Sequence, residues 1–490
     1  MDRRRLALSC GWSLVLSVVL SVAAVEPAPA TPVKVRTKQI SPPGPFSTSS
    51  PCSDAVLPAI APGFAQETSV AVNPRDPDHV MVSWIQDGRA TDTVMASRNG
   101  GRSFSRVFVP SLSACTGGSA NVASDPGVDF TSNGRMGYFS AITVSFPAGT
   151  FPFPATTTMV ASRSFDGGFS WEVPSVIQPP TAEFWDLPRL TTHPRRPKTA
   201  YYIYDLRKPP DFIDGYSLFS KTVNGGRSWS PPQVVYDPHT SDSWPGISKI
   251  LVNNDGSLLD VFALVGTTAD PFSNPTQEMA VRSVDGGRTW SQPIGIGSSS
   301  GRKPNDPNTG KFLNTFASFP SQTVAPNGDV YVAWPELGAT NESSQIGVAR
   351  STDGGRHWRT RNIPVKGQAA LPAIEVAGDG TVGVLHYVIA PSSTNGNWPA
   401  RVAVATSSDH GRHWKSHRVA GPFNLLTAGN SARPCCFLGD YLGIDRVDNG
   451  MVAAFSMAKP VARNQVDAYF TRITTSRAKR RGHADKKKGK

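Results

Sequence analysis

Along most of its length the chain alternates short apolar segments with clusters of Gly, Pro, Asn and Asp. Val80-Met81-Val82-Ser83-Trp84, Ala200-Tyr201-Tyr202-Ile203 and the stretch from Met451 to Met457 are typical. Apolar runs this short, rich in β-branched and aromatic residues and bounded by turn formers, predict β-strands. Gly 44 and Pro 43 in 490 residues are too many for a helical protein. The expectation is an all-β fold of many short strands.

An eight-residue pattern divides these strands into units. It occurs as Ser97 to Phe104, Ser164 to Trp171, Thr222 to Trp229, Ser283 to Trp290, Ser351 to Trp358 and Ser407 to Trp414, at intervals of 56 to 68 residues. That interval is the length of one four-stranded propeller blade. Each copy reads as a hairpin: an Asp or Asn accepts backbone amides two residues on, glycines take positive φ, and a closing Trp or Phe anchors the turn. Arg102, Arg227, Arg288, Arg356 and Arg412 within the copies read as surface residues.

Two further patterns extend the count. A lead-in segment precedes each unit: Glu67-Thr68-Ser69-Val70, Asp125-Pro126-Gly127-Val128, Leu187-Pro188-Arg189-Leu190, Trp244-Pro245-Gly246-Ile247, Phe319-Pro320-Ser321-Gln322, Leu371-Pro372-Ala373-Ile374 and Asp440-Tyr441-Leu442-Gly443. Five Asn-Gly or Asp-Gly turns, among them Asn133-Gly134 and Asn449-Gly450, then join the first two strands of a unit, and proline turns replace them at Asn73-Pro74 and His193-Pro194. The seventh unit lacks a fourth strand, and Val33 to Thr37 is a spare one. Lending it to the last unit would close the ring and remove open sheet edges. The prediction is a seven-bladed propeller over residues 31–475, with six blades as the alternative.

The ends read differently. Met1 to Arg5 is basic, Leu6 to Val25 is apolar, and small residues follow, which predicts a secretory signal over 1–30 with an uncleaved membrane anchor as the alternative. The formal charge of +12 is concentrated in a basic tail, 476–490, where eight Lys/Arg accompany Asp485. With no aromatics interleaved, the tail reads as solvated rather than nucleic-acid binding; an anionic envelope polymer is the sharper alternative. Outside the signal stand Cys52, Cys115, Cys435 and Cys436, an even number consistent with disulfides, and spacing leaves all three pairings open.

The six hairpins resemble the Asp box, or BNR repeat, of the sialidase superfamily. That resemblance implies a β-propeller with the boxes at its outer rim, away from the active site, and a glycoside hydrolase if the protein is an enzyme. Sialidases share an Arg in a Phe/Tyr-Arg-Ile-Pro segment before the first box, two more Arg, an Asp acid/base and a Tyr activated by a Glu. No such segment precedes Ser97, so no catalytic residue carries over by motif.

Candidates come instead from the lead-ins, expected to face the central channel. Glu67, Asp125 and Asp440 hold similar positions, Asp186 lies one residue earlier in its unit, and Arg189 and Tyr441 are adjacent. Converging carboxylates raise one another's pKa and supply an acid and a base for glycoside hydrolysis. Trp185, with Trp244 and Trp398, is a candidate sugar-stacking surface, and Arg433 with Tyr441 is the most sialidase-like pair. No cofactor is expected; a channel-bound calcium is the alternative. The resulting expectation is a secreted, monomeric protein acting on or binding extracellular glycans, with a non-catalytic scaffold for a protein or glycan partner as the alternative.

Overall fold

The computed structural model describes residues 33–42, 63–147, 155–181, 183–208, 214–266, 275–315, 319–429, 435–459 and 465–475. The signal segment 1–30, the basic tail 476–490, Cys52 and Arg433 lie outside the described residues. Seven antiparallel four-stranded sheets form the blades of a β-propeller, and the six-bladed alternative is excluded. The first strands of the blades are Ala65–Asn73, Val122–Phe130, Phe184–Thr192, Ser243–Val252, Ser321–Val324, Gln368–Val376 and Gly443–Val447. They face one another around a central channel, while the fourth strands form the perimeter. Among the described residues helix is confined to two 3-10 turns, Ala114–Thr116 and Leu425–Thr427.

The ring closes as the spare strand requires. Val33–Gln39 pairs antiparallel with Val466–Thr475, from Val33 opposite Thr475 to Gln39 opposite Tyr469, and becomes the outermost strand of blade 7. Each junction between blades is filled by its own apolar cluster. Met81 and Val94 of blade 1 meet Phe139 and Trp171 of blade 2, and Val82 and Trp84 meet Val452 and Phe470 of blade 7. Burying one such side chain contributes about 1.5–3 kcal/mol, so the seven junctions carry much of the stability.

The eight-residue repeats join the third and fourth strands and all lie at one end of the molecule, called here the bottom. Their bonding differs from the expected amide two residues on. Asp166 Oδ1 accepts from the amides of Phe169 (3.0 Å) and Ser170 (2.9 Å), three and four residues on, while Ser164 Oγ donates to Asp166 and accepts from Gly168 N at 2.7 Å. The repeats also clasp the preceding blade. The fourth-position carbonyls of Gly225, Gly286 and Gly354 accept from Arg163 (3.0 Å), Lys221 (2.7 Å) and Asn253 (3.2 Å), each on the blade before. Gly168, at φ 95, lies so close to that blade that a Cβ would stand 2.7 Å from Met81 Sδ.

Cys435 is paired with its neighbour Cys436. Cys115 is also disulfide-bonded, to a partner outside the described residues.

Candidate functional site

The first strands begin at the opposite end, the top. In five blades their pairing with the second strand skips two residues, between Gln66 and Ser69, Ser124 and Gly127, Asp186 and Arg189, Gly246 and Lys249, and Ala370 and Ala373. One skipped residue is left-handed every time: Glu67 (φ 56), Asp125 (φ 56), Leu187 (φ 53), Ile247 (φ 51) and Leu371 (φ 49). Non-glycine residues adopt this conformation at a cost, and a β-branched Ile rarely does so. The surrounding blades hold these bulges in place, which aims five side chains at the axis of the ring.

Phe319 and Tyr441 hold the same place in blades 5 and 7. The cross-blade bonds fix this alignment: Asp445 Oδ2 accepts from Val72 N at 2.7 Å just as Asp129 Oδ2 accepts from Thr192 N at 2.8 Å. Two lead-ins therefore shift from their sequence alignment. Ile247 rather than Trp244 marks the bulge of blade 4, and Tyr441 rather than Asp440 is the counterpart of Glu67. Asp440 instead matches Asp186. Five of the seven lead-ins share a proline and little else, and in blade 4 the proline precedes the bulge rather than following it.

The resulting ring is two-sided. Leu187, Ile247 and Phe319 pack with Trp244 and the Tyr441 ring into an apolar cluster, and Leu371 is buried beside them. Across from them stand Glu67 and Asp125, and Tyr441, whose ring packs on the apolar side, turns its hydroxyl to Pro126 beside Asp125. Burial pushes Glu67 well above the usual carboxylate range, and the charges of Asp125 and Asp440 push it further. Glu67 and Asp125 are both buried and close enough for each to perturb the other's protonation. Burial and the Asp186 charge raise Asp125 to about 6 against the pull of Glu67, Arg189 and Arg89. Asp92, fully buried with neither carboxylate oxygen hydrogen-bonded, is likewise raised, by burial and then by Asp125.

The other candidates surround this pair. The Arg189 guanidinium stacks 3.9 Å from the Tyr441 ring centre, and the Tyr441 hydroxyl donates to Pro126 O at 3.4 Å. Burial raises the Tyr441 phenol, Arg189 opposes it, and Glu67, Asp125 and Asp92 raise it further. A phenol so placed stays neutral and donates a hydrogen bond. Asp440 Oδ1 accepts from Thr315 Oγ1 at 2.6 Å, and Asp186 pairs with Arg207 at 3.1 Å. Arg207 in turn lies 3.7 Å over the Trp244 ring. Asp186, Arg189, Asp440 and Tyr441 are half-buried, and the last three line the channel.

The tryptophans do not form a sugar platform. Trp185 is buried between blades 2 and 3, edge-on to Tyr204 at 5.7 Å, and Trp244 and Trp398 are buried as well. Trp185 falls in a blade junction because its strand is covered on both faces, Trp244 packs into the apolar side of the ring, and Trp398 packs into the core between blades 6 and 7.

Below the ring the channel is a cavity of about 500 Å³. Two residues past Gly127, Ala373 and Gly443 in their strands, Asp129, Glu375 and Asp445 point into it, together with Lys249 and Arg446. Arg446 pairs with Glu375 at 3.0 Å, and burial with the Glu375 charge raises Asp445 to about 7. The sequence reading missed these residues, although their shared offset from the lead-in, counted in twos along the strand, marks them as channel-facing. Among the described residues no group of three or more His, Cys, Asp or Glu is arranged to hold a metal ion.

No family model matches the chain, and no curated protein matches it. Solved structures similar to it include the Hadza microbial sialidase Hz136 (13% identity over 81% of this chain and 73% of that one, TM-score 0.45). A GH93 α-L-arabinofuranosidase of Fusarium graminearum with arabinobiose is similar at 13% identity over 75% and 97%, TM-score 0.46. A protein of unknown function from Dyadobacter fermentans is similar at 17% identity over 72% and 94%, TM-score 0.44. At this level the likeness assigns neither a substrate nor residue roles to this chain.

Proposed function

We propose that the top of the channel is a glycan site of the glycoside hydrolase type, with Glu67 as proton donor and Asp440 as the opposing carboxylate. The observation that carries this reading is the burial of the Glu67 and Asp125 carboxyl groups side by side, with a third carboxylate, Asp440, half-exposed beside them. We read the adjacent pair as too close to flank a glycosidic bond, which needs a gap of roughly 5 Å or more. They act instead as one acid: Asp125 keeps the proton on Glu67, and Glu67 passes it to the leaving oxygen. Asp440 takes a proton from the attacking water, and the water's oxygen forms the new bond at the sugar. Arg189, stacked on Tyr441, supplies a cation for a polar substituent of the sugar. Tyr441 serves as a donor rather than a nucleophile, and Asp186, tied to Arg207, tunes Asp125.

The extracellular setting of this reading rests on the signal-like segment 1–30 and the bonded cysteines. The test is sugar release from a panel of neutral and acidic glycans. Glu67→Gln and Asp440→Asn should each lower turnover at least ~100-fold. Absence of turnover on every glycan would overturn the hydrolase reading.

A second reading, glycan binding without turnover, is favoured by the burial of Glu67 (2% exposed) and Asp125 (7%) beneath the ring. It requires saturable binding that Arg189→Ala abolishes and Glu67→Gln leaves intact.

A further inference from the structure

We infer that the bottom face of the propeller, carrying the repeat hairpins, lies against an anionic membrane surface. The second position of the hairpin is Phe165, Val223 and Val284 in blades 2, 3 and 4, exposed by 62%, 67% and 75%. The same position holds Arg98, Thr352 and Ser408 in blades 1, 5 and 6. All the exposed large apolar residues among those described belong to blades 2–4; the other three, Val173, Val176 and Val234, sit on or just before the adjoining fourth strands. Three equivalent tips on consecutive blades point the same way, so one flat surface can take all of them.

Cations surround this row. Arg135, Arg195, Arg196 and Lys198 in the inner turns of blades 2 and 3, and Arg227 and Arg288 in the hairpins, are exposed on the same face. The acids nearby are occupied: Asp166 and Asp285 close their own hairpins, Glu172 pairs with Arg163 at 2.6 Å and Asp255 with Arg282 at 2.6 Å. Apolar tips among exposed cations suit the boundary of an anionic bilayer, where side chains enter the acyl region and cations meet headgroups. Valine tips offer a polysaccharide no stacking surface, which favours lipid over an anionic polymer.

The first and last described residues stand on this side as well: Val33 is paired with Thr475 at the bottom end of blade 7. In sequence the apolar stretch Leu6 to Val25 precedes Val33 and the Lys-rich tail follows Thr475. The candidate site at the top then opens away from the lipid.

The test uses the full chain and vesicles of phosphatidylcholine alone or mixed equally with phosphatidylglycerol. Sedimentation should show preference for the mixed vesicles, and Phe165→Ser, Val223→Ser and Val284→Ser together should weaken it roughly tenfold with an unchanged melting temperature. Hydrogen exchange on vesicle binding should protect the hairpins of blades 2–4 and leave the top face unchanged. Unaltered binding by the triple variant, protection confined to the termini, or equal binding of a soluble anionic polysaccharide would each overturn the inference.

Discussion

Replacing Asp125 by Asn removes a negative charge beside Glu67 while keeping the side chain's shape. Because that charge helps hold Glu67 protonated, Asp125→Asn should lower the Glu67 pKa. In a pH–rate profile the basic limb, where the acid loses its proton, should move to lower pH; a limb that stays put would remove Glu67 from the role of acid. A pair of glycines separates packing from backbone strain. Gly168 has positive φ and Met81 against its missing Cβ, whereas Gly256 has φ 85 and nothing within 4 Å. Gly168→Ala should cost roughly 2–4 kcal/mol in denaturant unfolding and Gly256→Ala only about 1 kcal/mol. Equal losses would mean that the hairpin does not clasp its neighbour.

At the scale of elements, the N-terminal strand is the part whose removal says most. Without Val33–Gln39 the third strand of blade 7 becomes an open edge carrying Tyr469, Phe470 and Ile473. Deleting it should lower the melting temperature by on the order of 10 °C and promote concentration-dependent association, measured by light scattering. An unchanged melt would show that the ring closes without it. This strand was legible in sequence because a seventh unit one strand short and an unclaimed alternating segment are both local patterns. The bulges were not. A two-residue skip depends on how strands one and two pair, so the sequence pattern of the lead-ins in blades 4 and 7 falls out of step with the bulge.

At the scale of the whole molecule, the buried acids set the response to pH. Asp125 is raised to about 6, Asp260 and Asp445 to about 7, and Glu67, Asp92, Asp205 and Glu278 are raised as well, by burial first in every case. Their folded pKa values exceed the unfolded ones, so between about pH 4 and 7 the folded state binds more protons and stability falls as pH rises. The hairpin carboxylates Asp166, Asp285, Asp353 and Asp409 are lowered, chiefly by hydrogen bonds that outweigh burial. Their contribution is complete above the unfolded pKa and is lost only as pH falls through the lower, folded values. The melting temperature should therefore peak at about pH 4 and decline towards pH 8, as followed by circular dichroism. A flat or rising melt over that range would show that the top-face carboxylates are solvated rather than buried.

Sequence alone determined the strand order and the closing strand and favoured seven blades over six, a choice the sheet topology settled. These rest on repeats within the chain, and a repeat of turn residues and alternating apolar positions can be read without knowing what packs on what. It also named Glu67, Asp125, Asp186, Arg189, Asp440 and Tyr441 as one group, since the lead-ins of a closed ring converge on its axis. Only the tertiary structure decided that Glu67 and Asp125 are buried together, that Asp186 is engaged by Arg207, and that Trp185 belongs to a blade junction. Those outcomes depend on burial and on neighbours that stand from about 20 to more than 300 residues away in the chain, as Arg207 does from Asp186 and Pro126 from Tyr441.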